Sequence, residues 1–173
     1  MELGKNKKTA LKWSVYIILL MLFCGFQSSP GLLAVWGIRP VLVLPMAVAV
    51  ALFEREAAAG AFGLLAGFLW DLSAGKLFGF YGMILLLLCV AVTLLSMYCI
   101  RVNLANFVLC CLAVSLLCGI WNFLFYDLLW GYEGVWLFAW KMMLQTVYTT
   151  ILGVPVYLLV RRLTGKLSQT VRA

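Results

Sequence analysis

The sequence predicts an all-α fold: a polytopic membrane bundle of about six transmembrane helices with both termini in the cytoplasm. Three observations predict it. Hydrophobic residues fill 66% and charged residues 11% of the 173 positions, against roughly one quarter charged in a soluble domain. The apolar residues fall in long runs broken by short turns, as a hydrocarbon core about 30 Å thick requires of helices. The period-two alternation of a membrane barrel is missing, and backbone inside a bilayer must bond to itself, which leaves helices.

Residues 1–12 form a basic N-terminal segment carrying Lys5, Lys7, Lys8 and Lys12. The transmembrane domain follows over 13–160, and a basic C-terminal segment, 161–173, carries Arg161, Arg162, Lys166 and Arg172. The first apolar run, 13–29, has the basic flank of a signal peptide. Met21, Leu22 and Phe23 before Cys24 make no cleavage or lipidation box, however, and further spans follow, so it reads as an uncleaved first helix. The second run, 39–53, opens on Arg39 and Pro40, and the third covers 57–72. Both are short for full spans, and a re-entrant hairpin would leave the termini on one side just as two crossings would. The fourth, fifth and sixth runs cover 77–100, 104–128 and 135–160.

The terminal lysines and arginines favour cytoplasmic termini, which demands an even number of crossings. Arg55 and Arg101 then fall on inner loops. Arg39, Lys76 and Lys141 go to the outer half with Asp71, Asp127 and Glu133. Trp36, Trp70, Trp121, Trp130, Trp136 and Trp140 map near the same face, as an interfacial aromatic belt.

Several function classes drop out. The six cysteines (24, 89, 99, 110, 111 and 118) lie in or at the ends of apolar runs without a C-x-x-C, and histidine is absent. Neither a metal site nor a disulfide framework is predicted. There is no P-loop and no Ser/His pair, and "EREA" at 54–57 is a charged inner turn, so no enzyme and no cofactor is expected. The net charge of +7 sits mostly at the termini, as juxtamembrane anchors and not as a nucleic-acid surface.

Polar and small residues recur at helical spacing. Gly60, Gly63, Gly67 and Asp71 share one face of the third helix, and Gly63 to Gly67 is a GxxxG that admits another backbone closely. That face suits helix packing or a partner helix. Asp71 should turn inward to a cation, with Arg39 as first candidate and Lys76 as second. Further stripes are Gly82, Cys89, Thr93 and Ser96; Cys111, Ser115, Gly119, Asn122 and Tyr126; and Lys141, Gln145, Tyr148 and Thr149. Asn122, Asp127, Lys141 and Gln145 are the buried polar candidates. Asn122, Asp127 or Asp71 could neutralise or solvate Lys141, or Lys141 could snorkel outward.

The stretch "GIRPVLVLPMAVAVALFEREAAAGAFGLLAGFLWDLSAGKLFGFYGM" resembles the MreD family of bacterial rod shape-determining membrane proteins. Its carriers are Arg39 and Pro40, Gly67 and Asp71 at the helix end, and Gly75 and Gly79 in the turn that follows. Val41 departs from the polar residue the family often has there. The resemblance implies a non-enzymatic scaffold of the elongation machinery in the inner membrane. It would work beside the bitopic MreC, with MreB, RodA and a class B penicillin-binding protein as further partners and lipid around it. In that frame Arg39 and Asp71 would fix the outer ends of the second and third helices, and Gly75 and Gly79 would let the chain reverse tightly. The alternative is a vitamin-binding subunit of an energy-coupling-factor transporter, similar in size and span number. Those subunits typically carry an A-x-x-x-A docking pattern in the first helix, which "WSVYIILLMLFCGF" lacks.

Overall fold

A computed structural model describes the backbone of residues 2–29, 38–75, 77–99, 101–128 and 135–172, and the side chains of 10–29, 38–75, 77–99, 101–125 and 139–165. The described residues form six helices: α1 (Glu2–Ser28), α2 (Val43–Phe53), α3 (Glu56–Ala74), α4 (Phe80–Tyr98), α5 (Leu104–Asn122) and α6 (Val135–Arg172). A π-helical stretch, Phe123–Leu128, continues α5. Among the described residues, five helices are long and apolar enough to cross a membrane.

The exception is α2. Its 11 residues reach only about 17 Å at 1.5 Å per residue, roughly half a hydrocarbon core. The expected helical run from residue 39 starts at Val43 instead. The third run, expected to be short, is a full 19-residue helix. The outer helices are also longer than expected: α1 begins at Glu2, and α6 runs past residue 160 to Arg172.

Every residue from Val43 to Leu52 is buried. A helix apolar on all sides suits a protein core or a lipid surround; α2 takes the core, packing against each of the other five. Pro45 is tolerated because it lies in the first turn, where its missing N–H leaves no intrahelical bond unmade.

A short buried helix strands its end groups away from water, and other helices supply the partners. The Val43 amide donates to Gln27 Oε1 of α1 at 3.3 Å, and the Val41 amide to Thr149 Oγ1 of α6 at 3.2 Å. At the other end Thr93 Oγ1 of α4 lies 2.8 Å from the Ala51 carbonyl and 2.9 Å from that of Cys89.

Just past α2, Glu54 pairs with Lys12 of α1 and accepts from the Tyr16 hydroxyl at 3.4 Å. The same hydroxyl lies 2.7 Å from Thr164 Oγ1 of α6. The N-terminal part of α1, the α2–α3 turn and the C-terminal part of α6 therefore meet at one end of the bundle, the terminal end. Arg39, Asp71, Asn122 and Lys141 belong to the opposite end.

Candidate functional site

The most extensive helix contact is between α3 and α4, and small residues on both make it possible. A Cβ on Gly67 would stand 2.4 Å from Gly82 Cα and 2.5 Å from the Tyr81 carbonyl. One on Gly63 would stand 2.7 Å from the Leu85 carbonyl, and one on Gly60 2.9 Å from Val90 Cγ2. The glycine face is thus filled by α4, an internal helix, which leaves no groove there for a partner helix.

This approach brings Asp71, 1% exposed, under the first turn of α4. Its Oδ2 accepts the amides of Gly79 at 2.9 Å and Gly82 at 3.3 Å, and its Oδ1 accepts that of Tyr81 at 3.1 Å. Gly79 is the N-cap of α4 and has no side chain to serve the free amides, so the carboxylate of the preceding helix does so. A carboxylate at a helix N-terminus also faces the favourable end of the helix dipole. Gly75 (φ 62°) and Gly79 (φ 92°) both adopt left-handed backbone, which other residues take up at a cost, and this folds the chain back within reach. Trp70 stacks on Tyr81 at 3.9 Å between ring centroids and covers the joint.

The structure does not bring Asp71 to Arg39. Among the described residues the ion pair is Lys12–Glu54; Arg39 is exposed, and its carbonyl accepts from Gln145 Nε2 at 3.0 Å. Lys76 and the Asp127 side chain lie outside the described residues, as do Trp36, Trp130, Glu133 and the Trp136 side chain.

Three of the four polar candidates do converge. Asn122, Lys141 and Gln145 line a cavity of about 290 Å³ with Arg39. It adjoins a second of about 240 Å³ that reaches inward past Ser115 and Thr146 to Trp70 and Tyr81. Gly119, Asn122, Met142 and Gln145 line both. Ser115 Oγ bonds Thr146 Oγ1 across the α5–α6 interface at 3.3 Å. The π-helical stretch that begins one residue after Asn122 widens the end of α5 beside this space, and such stretches recur at functional sites. Lys141, which lines the first of these cavities, is exposed.

The Lys12–Glu54–Tyr16–Thr164 cluster at the terminal end is the feature that residue patterns missed. The available signal was a lone carboxylate, Glu54, directly after an apolar run, facing a lysine that opens another.

Among the described residues no group of three histidine, cysteine or acidic side chains is close enough to hold a metal ion. The free cysteines are scattered over α1, α4 and α5 and the turn after α4.

A family model described as rod shape-determining protein MreD matches residues 7–163. No curated protein and no solved structure matches the chain.

Proposed function

We propose that this chain, which belongs to the MreD family of rod shape-determining proteins, is a non-enzymatic scaffold in the bacterial inner membrane. It would hold an MreC-like bitopic protein within the elongation complex, with MreB, RodA and a class B penicillin-binding protein as further members. The family match over residues 7–163 is the observation that carries this reading.

The architecture suits such a role. The α2 helix, with both ends bonded to neighbours, makes a rigid centre, and the Asp71 joint locks α3 to α4. Outer surfaces on α1 present Ile18 and Met21, 63% and 54% exposed, to lipid or to a partner span. The basic residues at the terminal end, Lys12, Arg55, Arg101, Arg161 and Arg162, support cytoplasmic termini.

The test is mass spectrometry of what co-purifies with the tagged protein from native membranes in mild detergent, together with depletion in a rod-shaped host. Recovery of an MreC-like protein and rounding of depleted cells are expected. Recovery of paired ATPases with a coupling subunit, and unchanged cell shape, would replace the scaffold by a transport subunit.

A further inference from the structure

We propose that the cavity between the start of α2, the end of α5 and the start of α6 holds the phosphate of a membrane lipid headgroup. The inference rests on the membrane-spanning reading and not on any rod-complex partner.

The charge pattern is the first support. Lys12, Arg55, Arg101, Arg161 and Arg162 sit at the terminal end, where cations normally gather. Arg39 and Lys141 sit at the opposite end and line the same cavity, and none of its described lining residues is acidic. Neither has an ion-pair partner among the described residues. Two cations with no acidic partner among the described residues, beside one concavity in a membrane protein, suit an anion.

Depth identifies the anion. Lys141 is the seventh residue of α6, and Asn122 lies six residues before the end of the π-helical continuation of α5, so each is about two turns from a helix end on this side. A long cationic side chain at that depth reaches the headgroup level, where the abundant anion is the lipid phosphate. The residue types match it: a guanidinium offers a planar fork to phosphate oxygens, an ammonium a point charge, and the Asn122 and Gln145 amides neutral polar contacts.

Size and surroundings agree. The cavity of about 290 Å³ has room for a phosphoglycerol headgroup, and the deeper one of about 240 Å³ adds polar lining from Ser115 and Thr146. Next in sequence to the lining residues Gly119, Asn122 and Lys141, Ile120, Trp121 and Trp140 are 47%, 52% and 62% exposed, apolar surface along which acyl chains can run.

The test is native mass spectrometry of the purified full chain titrated with phosphatidylglycerol, with diacylglycerol, or with inorganic phosphate. The variants are Lys141→Gln alone, Arg39→Gln with Lys141→Gln, and the control pair Arg161→Gln with Arg162→Gln, each checked for wild-type thermal unfolding. Wild type and the control pair are expected to retain one phosphatidylglycerol per chain. Affinity should fall about threefold or more in the single variant and about tenfold or more in the double, as loss of charge-assisted bonds implies. Equal phosphatidylglycerol affinity in the double variant and wild type would overturn the proposal, as would equal retention of diacylglycerol. Inorganic phosphate binding as tightly as the lipid would assign the site to a free anion. Loss of a protein partner from the double variant with lipid retention intact would assign the two cations to a protein instead.

Discussion

Asp71 Oδ1 accepts the amide of Tyr81 at 3.1 Å, so the last turn of α3 provides the cap that the first turn of α4 lacks. A residue that reads as half of an ion pair is the fastening of a helix hairpin.

Replacing Asp71 by leucine should cost about 3 kcal/mol, since buried amides lose their acceptor. Asp71→Asn keeps one carbonyl acceptor and should cost about 1–2 kcal/mol. Thermal unfolding in detergent measures both. Arg39→Gln should stay within about 0.5 kcal/mol of wild type, and Asp71→Arg with Arg39→Asp should be no better than Asp71→Arg alone.

Gly67→Ala places a methyl 2.4 Å from the Gly82 backbone, where no side chain can move aside. A loss of about 3 kcal/mol is expected, with α3 and α4 forced apart. Gly25 and Gly165 have nothing within 4 Å of an added Cβ, so Ala at either should be neutral or stabilise the helix by about 0.5 kcal/mol. Equal losses at Gly67 and Gly25 would contradict the packing described here.

Thr93→Val removes the hydroxyl beside the Ala51 carbonyl with little change of shape, and Thr149→Val removes the acceptor of the Val41 amide. Each should cost about 1–2 kcal/mol. Hydrogen exchange should quicken locally, at the α2 C-terminus for the first variant and at its N-terminus for the second.

Lys12 and Glu54, 22% and 13% exposed, pair at the terminal end. A double-mutant cycle with Lys12→Ala and Glu54→Ala should give a coupling energy of about 1 kcal/mol, discounted for partial solvent screening. Glu54→Ala should be the more damaging single change, because it also deprives the Tyr16 hydroxyl of an acceptor.

Hydropathy runs placed six helices in the right order, since apolar length between turns is a local property. They did not show that α2 is a half-length core helix, because its apolar run merges with the extended approach from Arg39. Spacing alone put Gly60, Gly63, Gly67 and Asp71 on one face. What that face meets lies in a different segment, α4, whose first-turn amides donate to Asp71, whereas spacing within α3 pointed to a cation.

The sequence by itself determined a helical membrane protein, its glycine-to-aspartate motif and its family, because composition, periodicity and motif spacing are carried by neighbouring residues. Tertiary structure alone decided the partner of Asp71, the occupant of the glycine face and the convergence of Arg39, Asn122, Lys141 and Gln145 on one cavity. The reason is physical: a buried polar group bonds whatever the packing brings within about 3 Å, and close helix contact through glycine put backbone amides there before any side-chain cation.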